Sequence, residues 1–374
     1  MRVCWTGTFD PSFERNKRLR EYLETANIDY REVRFNLWPQ DRVNAFTEAR
    51  MQVMLRMLVL YPVLLARLLA APRPDVYLVS YPGWFDVLVV KLVALVKRRP
   101  IVFDIFISLY DTAVSDRGLA PSESSIARLA RTVDRVSMRL AQRVIADCPA
   151  HARFQADLAG LPLDRFGILY LGADEAVFRP VEEVNVDDDL IVFYGTFVPL
   201  QGVEWIIRAA AKLEDKRYRF RLIGGGQNKD AALRLAESLG ASNLEFVDFL
   251  PQPDLVHELA RAALCLGIFG TSDKADRVIP HKVFEALACG RPILTGRTSA
   301  VAGVLSGEVA VCPTGDASGL AESITLLMEN ESLRHKLGSD GRARFSEDFA
   351  LDAQAERLRY ELETVTGRSR PHVK

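Results

Sequence analysis

The sequence predicts an α/β protein built from two Rossmann-like domains, and three observations lead to this fold class. Short apolar runs alternate with longer stretches of helical periodicity, a pattern typical of parallel sheets covered by helices. The alternation occurs in two successive sets of five or six β/α repeats. The chain has 374 residues, whereas a single eightfold β/α barrel usually takes about 250 residues.

The first half of the chain contains five apolar runs that predict strands and five periodic stretches that predict helices. The predicted strands are Arg2–Trp5, Val76–Ser80, Ile101–Ile105, Val144–Ala146 and Gly167–Leu171. The predicted helices are Asn16–Thr25, Ala45–Leu69, Trp84–Val96, Ser124–Ala141 and Ala150–Leu158.

The second half repeats this alternation. Its predicted strands are Leu190–Tyr194, Phe220–Ile223, Leu244–Phe246, Ala263–Ile268, Pro292–Thr295 and Val309–Val311. Its predicted helices are Val203–Leu213, Lys229–Leu239, Leu255–Arg261, Lys282–Ala288 and Ala317–Met328.

The boundary between the two domains is predicted within Gly172–Leu190, which holds Pro180 and an acidic run just before a fresh apolar strand. We therefore expect domains at residues 1–175 and 185–350. Residues 351–374 should carry a helix, near Leu351–Val365, that crosses back to the first domain. Ligands of open α/β sheets bind at the carboxyl ends of the strands, so a cleft between two facing domains is the expected site.

The composition is that of an ordinary globular protein, with 49% hydrophobic and 26% charged residues. It excludes a disordered chain, a collagen-like repeat and a disulfide-rich miniprotein. Residues 1–180 carry 25 basic and 20 acidic side chains, and residues 181–374 carry 23 and 29. This bias is too weak for a nucleic-acid binder. It suits a first half that meets an anionic membrane surface or a phosphorylated acceptor.

The cysteines and the apolar segments indicate a cytoplasmic protein. The five cysteines are scattered and form no Cys-x-x-Cys pair, so we expect reduced thiols. The N-terminus becomes polar within a few residues, unlike a secretory signal. The most apolar stretch, Met51–Ala70, is interrupted by Arg56, Pro62 and Arg67, whereas a membrane-spanning helix needs about 20 mostly uncharged residues.

Two turns rich in glycine are candidate binding loops. Gly7 and Thr8 follow the first strand, where small residues allow a ligand phosphate or sugar to approach the backbone; the alternative is a plain strand-to-helix turn. Gly195, Thr196 and Gln201 lie between a strand and the next helix N-terminus, which favours an anion. Every Rossmann-like repeat has such a turn, so the second signal alone is weak.

The segment Gly270–Pro292 offers the richest set of polar residues. Its loop and helix carry Lys274, Arg277 and Lys282, and Lys282 lies three residues before Glu285 on one helix face. Cations near a helix N-terminus suit a diphosphate, and a carboxylate one turn later suits ribose hydroxyls. The alternative is a capped surface helix with an ordinary Lys–Glu pair.

Together these segments resemble the family 4 glycosyltransferases of the GT-B fold over nearly the whole chain. The resemblance is carried by GTFDPSFERN, PIVFDIFISLYDT, GADEAVFRP, YGTFVPLQG, LIGGG and, most specifically, IPHKVFEALACGRPIL. It implies that the C-terminal domain holds a UDP- or GDP-linked sugar and that the N-terminal domain holds the acceptor. It also implies transfer with retention of anomeric configuration and without a metal or cofactor.

Three departures from the family pattern bear on the site. Of two glutamates often found seven residues apart, Glu285 is the second, and Arg277 stands at the first position. Thr196 and Gln201 replace the family's arginine and lysine, and Phe106 replaces its histidine. The resemblance then implies that Lys274, Arg277 and Lys282 neutralise the diphosphate, Thr196 and Gln201 add neutral hydrogen bonds, and His281 contacts the donor.

With the histidine position lost, the loop DIFISLYD must supply any polar group beside the acceptor. Asp104 and Asp111 are the candidates to orient or deprotonate a hydroxyl, with Ser108 and Tyr110 nearby. Alternatively, Asp104 caps a buried strand end and Asp111 caps a helix. No cluster of His, Cys and Asp has the spacing of a metal site.

Two basic, apolar helices suggest contact with an anionic membrane. One is Ala45–Leu69. The other is Ile126–Arg143, which carries an arginine stripe of Arg128, Arg131, Arg135, Arg139 and Arg143. The alternative is an ordinary solvated face.

The function expected from all of this is transfer of a hexose-type sugar to an acceptor hydroxyl during assembly of a surface polysaccharide, glycolipid or lipid-linked glycan. The alternatives are a sugar-nucleotide epimerase or hydrolase of the same fold, and a subunit that binds sugar nucleotides without catalysis.

Overall fold

In a computed structural model, the described residues are 1–37, 50–116, 121, 123–181 and 184–367. The chain divides into two compact units. The first unit comprises Met1–Tyr170 and the chain from Gln354 onward, and the second is Leu171–Ala353. The predicted start of a helix at residues 45–49 lies outside the described residues.

The first unit is a parallel sheet of six strands with helices between them. Its elements are β1 (Arg2–Gly7), α1 (Glu14–Thr25), β2 (Asp29–Arg34), α2 (Arg50–Ala70), β3 (Val76–Val79), α3 (Asp86–Lys97), β4 (Ile101–Asp104), α4 (Ser125–Leu140), β5 (Arg143–Ala146), α5 (Pro149–Ala159) and β6 (Phe166–Ile168). A π-helical turn covers Asp111–Asp116. The strand order β2-β1-β3-β4-β5-β6 reverses direction between β1 and β3.

The second unit is also a parallel sheet of six strands. Its elements are β7 (Asp187–Thr196), α6 (Val203–Lys212), β8 (Arg219–Gly225), α7 (Lys229–Leu239), β9 (Leu244–Val247), α8 (Gln252–Arg261), β10 (Ala262–Leu266), α9 (Asp273–Arg277), α10 (His281–Ala288), β11 (Ile293–Gly296), α11 (Ser299–Ala302), β12 (Ala310–Cys312), α12 (Ala317–Met328) and α13 (Glu331–Arg344). The strand order β12-β11-β10-β7-β8-β9 is that of a Rossmann fold. It reverses between β7 and β10, the position where such sheets bind ligands.

The central strands explain why the sequence pattern predicted this architecture. All four residues of β3 and all four of β4 are buried. Strands covered by helices on both faces read as continuous apolar runs, so they stand out in the sequence. The predicted pair of Rossmann-like α/β sheets is confirmed.

Two elements that the sequence analysis missed are polar. Strand β2 reads DYREVR, and only Val33 within it is buried, because it lies at the edge of the sheet. Helix α13 reads ESLRHKLGSDGRAR and carries two glycines, which weaken a helix signal. Both elements are held by tertiary pairing and packing, which hydrophobic periodicity does not report.

The final helix, α14 (Leu351–Thr366), packs against the first unit through polar contacts. The Gln354 side chain accepts a hydrogen bond of 2.8 Å from the Tyr170 amide, and Glu361 pairs with Arg143. A Cβ on Gly167 would lie 2.2 Å from the Glu361 carboxyl carbon. The absent side chain at Gly167 therefore lets the helix approach β6 closely.

The described residues contain no helix that is both long and apolar enough to cross a membrane. The predicted apolar segment corresponds to α2, which contains Pro62.

Gly224 is the glycine of the second sheet whose replacement should be least tolerated. Its φ is +130°, and a Cβ would lie 2.1 Å from the Gly195 carbonyl oxygen on the neighbouring strand. Gly240 has φ +65° with nothing within 4 Å of its Cβ position. Gly240→Ala should lower the free energy of unfolding by about 1–2 kcal/mol from backbone strain. Gly224→Ala should lower the free energy of unfolding by about 1–3 kcal/mol more than Gly240→Ala does, because overpacking adds to the strain.

Denaturant unfolding of the two variants measures this difference. Equal losses would mean that the β7–β8 backbone shifts freely and that the contact at Gly195 carries no constraint.

Candidate active site

The loop after β7 and the start of α10 meet at the point where the second sheet reverses its strand order. Lys282 Nζ donates a hydrogen bond of 2.5 Å to Gln201 Oε1. A Cβ on Gly195 would lie 3.0 Å from the same Nζ. The backbone conformation of Gly195, with φ +144°, favours glycine, and the missing side chain leaves room for the lysine. The structure thus brings three of the predicted site residues together.

Lys282 is a buried cation. Its exposed fraction is 5%, and its Nζ lies 3.7 Å from the centroid of the Phe193 ring and 5.6 Å from that of Tyr194. Burial lowers the pKa of the ammonium well below its ordinary value, and the charge of Glu285 only partly offsets this. The alternative of a surface helix with an ordinary Lys–Glu pair is wrong, because both side chains are buried.

Glu285 is held by two neighbours. The Tyr194 hydroxyl donates a 2.5 Å hydrogen bond to Oε2, and His281 Nδ1 lies 3.2 Å from Oε1. Burial, followed by the Glu285 charge, raises the pKa of Tyr194 well above its usual range. Tyr194 therefore stays a neutral donor, and the carboxylate is fixed in position. Tyr194 lies in the motif YGTFVPLQG, where nothing in the sequence marks its contact with Glu285.

The other two cations of this loop lie on the short helix α9. Arg277 lines a cavity of about 250 Å³ with threonines that follow three neighbouring strands, among them Thr271, Thr298 and Thr314. Lys274 is buried, and Thr196 is exposed. The structure places Arg277 at this cavity, at the same ends of the strands of the second sheet as Lys282.

In the first unit, Gly7 and Thr8 form a tight turn around Asp86. The Thr8 amide donates a hydrogen bond of 2.7 Å to Asp86 Oδ2, and the Thr8 hydroxyl donates one of 3.0 Å to Asp86 Oδ1. Burial raises the pKa of Asp86 despite these bonds. A Cβ on Gly7 would lie 2.9 Å from Oδ2. Because the polar groups of Thr8 bind inside the protein, this arrangement favours the plain-turn interpretation.

Asp104 forms a buried ion pair. Arg15 NH2 lies 2.8 Å from Oδ1, and Arg15 Nε donates 2.9 Å to Oδ2. Both side chains are completely buried. Arg15 also donates 2.7 Å to the Leu169 carbonyl. The paired carboxylate at the end of β4 is arranged to hold the sheet together, which favours the structural alternative for Asp104 over contact with an acceptor.

Asp111 lies in a buried cluster with a histidine that the sequence analysis did not assign. His151 Nδ1 is 2.8 Å from Asp147 Oδ1, and Nε2 is 3.8 Å from Asp111 Oδ2. Burial alone would lower the pKa of His151, but the two carboxylates outweigh it and raise the pKa to about 9. The signal available in the sequence was the four-residue spacing of Asp147 and His151.

The other residues predicted to lie near the acceptor, Ser108 and Tyr110, contact Asp134. Its carboxylate accepts bonds of 2.7 Å from Ser108 Oγ, 2.9 Å from the Leu109 amide and 2.8 Å from the Tyr110 amide. Burial raises the pKa of Asp134 to about 6 in spite of these donors. Asp134 thus fixes the loop that leads to Asp111. No group of three or more His, Cys, Asp or Glu side chains in the described ranges is arranged to hold a metal ion.

Comparison with known proteins identifies the family of the second unit. The family described as glycosyl transferases, group 1, matches residues 174–344. The resemblance to family 4 glycosyltransferases is therefore confirmed, and the matched segment contains the Lys282–Gln201 contact and Glu285.

Named relatives are similar to part of this chain. A D-inositol 3-phosphate glycosyltransferase of Frankia alni is 31% identical over 229 residues, 54% of each chain. One of Mycolicibacterium smegmatis is 28% identical over 263 residues, covering 64% of this chain and 58% of the relative. The chain therefore spans a little over half the length of these relatives.

Solved structures confirm the GT-B fold. Sucrose-phosphate synthase from Thermosynechococcus elongatus superimposes with a TM-score of 0.73 at 16% identity, covering 99% of this chain and all of the other. The Anabaena HepE protein in complex with UDP and glucose gives a TM-score of 0.67 at 16% identity, covering 97% and 100%. At this identity the likeness concerns the fold.

The Arg15–Asp104 pair yields a test of its structural role. Asp104→Asn should lower the free energy of unfolding by about 3–5 kcal/mol, because it leaves the Arg15 charge buried and uncompensated. The double variant Arg15→Met/Asp104→Leu should recover most of that loss, since both charges are removed. Thermal and denaturant unfolding measure both. An Asp104→Asn protein of unchanged stability that has lost its activity would instead make Asp104 a catalytic residue.

Proposed function

We propose that this protein is a glycosyltransferase that moves a hexose-type sugar from a UDP- or GDP-linked donor to an acceptor hydroxyl. The observation that carries the proposal is the buried Lys282 ammonium at the strand-order reversal of the family-matched unit. Two comparisons support the donor class. Named relatives are glycosyltransferases, and the fold neighbour HepE was solved with UDP-glucose.

The surroundings of Lys282 suit a cation whose charge an anionic ligand would neutralise. Its hydrogen bond goes to the neutral amide of Gln201, and aromatic faces cover the ammonium. Burial without a directly bonded carboxylate disfavours the charged form. A diphosphate beside Nζ would reverse this preference. The negative charge that develops on the leaving diphosphate would then meet a positioned cation in a water-poor site.

Glu285 is assigned to hydroxyl groups of the donor. Because Tyr194 and His281 fix its carboxylate, lone pairs that these donors do not use can accept hydrogen bonds from ribose or hexose hydroxyls. His281 Nε2 is buried and has no hydrogen-bond partner in the part of the chain that the structure describes, so this nitrogen is assigned to the donor sugar as well. Arg277 would contribute from the cavity that it lines, and Lys274 from the same short helix.

Transfer with retention of configuration and without a metal ion or cofactor forms part of the proposal, on the strength of the family resemblance. Lys282 would supply the charge stabilisation that a metal supplies in other transferases. The proposed setting is assembly of a surface polysaccharide, a glycolipid or a lipid-linked glycan.

Product analysis tests the reaction. The protein is incubated with radiolabelled UDP-glucose or GDP-mannose and a bacterial membrane extract as acceptor source, with and without EDTA. Label should move into a larger glycan or glycolipid, and EDTA should leave the rate unchanged. Free labelled sugar would show a hydrolase, and an isomerised sugar nucleotide an epimerase. Nucleotide binding without turnover of any donor would show the non-catalytic subunit.

Replacing Lys282 tests the proposed role of its ammonium group most directly. Lys282→Ala should lower turnover by about 100- to 1000-fold, the typical loss when one positioned charge-stabilising donor is removed. Adding Gln201→Lys should partly restore the rate, because the two side chains lie 2.5 Å apart and face the same phosphates. Lys336→Ala, at an exposed lysine of α13, is the matched control and should keep full activity.

Full activity in Lys282→Ala with unchanged donor affinity would remove Lys282 from the site. Loss of activity with no rescue by Gln201→Lys would mean that the two side chains serve different groups.

Peripheral contact with a membrane is proposed for the first unit, through α2, one of the two helices that the sequence suggested, and its neighbour α3, rather than through α4. The predicted arginine stripe of α4 binds largely within the protein. Its contacts are Arg131 to the Tyr110 hydroxyl at 2.6 Å, Arg135 to the Leu158 carbonyl at 3.2 Å, Arg139 to the Ala159 carbonyl at 2.8 Å, and Arg143 to Glu361. Arg131, Arg135 and Arg139 therefore help to hold α4 in place, whereas Arg143 begins β5 and pairs with α14. Arg128, the remaining member of the stripe, is exposed.

An apolar surface remains on the neighbouring helices α2 and α3, which pack against each other. We call it the apolar helix face. Its exposed members are Leu55, Leu58, Val59, Val63, Leu69, Leu88, Leu92, Leu95 and Val96. Large contiguous apolar patches on soluble proteins mark interaction sites, and this one suits insertion at a lipid interface.

The apolar helix face should bind phospholipid vesicles, and high salt should have little effect because the contact is apolar. Leu92→Glu/Leu95→Glu should abolish co-sedimentation with vesicles of phosphatidylcholine and phosphatidylglycerol. Leu326→Glu is the matched control, because Leu326 is as exposed as Leu95, at 62%, but lies in the second unit. Co-sedimentation unaffected by the double variant, or lost in the control as well, would contradict this surface.

A further inference from the structure

A second cavity lies at the amino ends of the strands of the second sheet, whereas Lys282 lies at their carboxyl ends. Its volume is about 460 Å³, within the range of small-molecule sites. Residues at the amino ends of β7, β10 and β11 line it, together with one face of α13. In a parallel sheet all strands run in the same direction, so their amino ends lie together on one side and their carboxyl ends on the opposite side. This cavity, which we call the arginine pocket, is therefore separate from the proposed donor site.

Helix α13 presents a row of cations to the arginine pocket. Arg334, Gly338 and Arg342 follow one another at four-residue spacing, which places them on one helix face. A Cβ on Gly338 would lie 2.5 Å from the Gly290 carbonyl oxygen. Because Gly338 has no side chain, α13 lies against the segment Gly290–Pro292. That contact brings Arg291 to the same cavity as Arg334 and Arg342.

The three guanidinium groups are anchored but retain donors for a ligand. Arg342 donates a hydrogen bond of 2.8 Å to the Ala288 carbonyl oxygen, and Arg291 donates one to the Ala262 carbonyl oxygen. Arg291 Nε is buried and has no hydrogen-bond partner among the residues that the structure describes. Burial, together with the charge of Arg334, lowers the pKa of Arg291. A neighbouring anion would relieve both effects.

Among the residues that the structure describes, the acidic groups at the arginine pocket compensate only part of its positive charge. Asp188 Oδ1 lies 3.1 Å from Arg334 and is largely exposed to solvent. Glu331, in the first turn of α13, is also exposed. Among the described residues that line the pocket, these two carboxylates accompany three arginines. Glu182 and Glu183 lie outside the described residues. Arg334 also donates to the carbonyls that end α12, at 2.9 Å and 2.6 Å, so its position is fixed by the fold.

We propose that the arginine pocket binds a small organic phosphate. Planar guanidinium groups match the geometry of phosphate oxygens, and Arg291 and Arg342 hold the phosphate. The opposite wall is apolar and is formed by Pro180, Val181, Val184 and Val186, which would contact the carbon skeleton. This second site does not rest on the proposed transfer reaction, because it uses none of the residues assigned to that reaction.

Binding is measured with two probes, inorganic phosphate and glucose 6-phosphate, at constant ionic strength kept with chloride. Ligands that bind the native state raise the melting temperature, and titration calorimetry gives the Kd. All measurements are made in the full chain and again in a Lys282→Met background, which removes the ammonium of the proposed donor site. Glucose 6-phosphate should bind more tightly than phosphate in both backgrounds, because it also contacts the valine wall.

Variants at the pocket locate the binding. Arg291→Gln and Arg342→Gln should each raise the Kd by about tenfold or more, the usual effect of losing a charged hydrogen bond. Val186→Asp lies at an exposed position, keeps every arginine in place and should abolish binding by repulsion. Val186→Asp still tests the pocket if an arginine variant fails to fold. Arg208→Gln, at an exposed arginine of α6, is the control and should bind normally.

Two results would overturn the proposal. Binding that is lost in Lys282→Met and kept in Arg291→Gln would place the phosphate at the other edge of the sheet. A weak shift of equal size in all variants, Val186→Asp included, would show unspecific binding to the basic surface.

Discussion

The burial of one ammonium group is the constraint on which the candidate site depends. A buried lysine without a directly bonded carboxylate disfavours its own charged form, so the surrounding chain must compensate. Gln201 supplies an acceptor, Phe193 supplies an aromatic face, and Gly195 supplies space. Gly224 pairs with Gly195 on the neighbouring strand, and a Cβ on Gly224 would lie 2.1 Å from the Gly195 carbonyl oxygen. Small residues and close backbone contacts thus position a charge that a ligand, rather than the protein, is suited to neutralise.

The first unit handles its buried charges in the opposite way. Arg15 pairs with Asp104, His151 lies between Asp111 and Asp147, and backbone amides satisfy Asp134. Desolvation makes any unpaired buried charge expensive, and each of these charged groups has an oppositely charged or hydrogen-bonding partner. These groups give the first unit a rigid polar edge. Its apolar helix face is a separate surface, formed by α2 and α3.

Much of the architecture could be predicted because central parallel strands are buried on both faces and leave unbroken apolar runs in the sequence. The same reasoning failed for β2 and α13, whose polar sequences owe their structure to neighbours. For the site, the motif around Lys282 and Glu285 was visible, and Gln201 was singled out at its place in the loop. The partners of Glu285, the burial of Lys282 and the inward bonds of the arginine stripe were not visible. Those features depend on which residues distant in sequence meet.

The sequence by itself determined the fold class, the repeat of β/α units and the family, because hydrophobic periodicity and short motifs are local properties of the chain. Only the tertiary structure decided what each polar residue does. Spacing showed that Lys282 and Glu285 share a helix face, yet one bonds to Gln201 and the other to Tyr194 and His281. The same holds for Asp104, which as a residue type suits both catalysis and structure. A side chain's charge state and role follow from its desolvation and its partners, and both are set by contacts across the sheet.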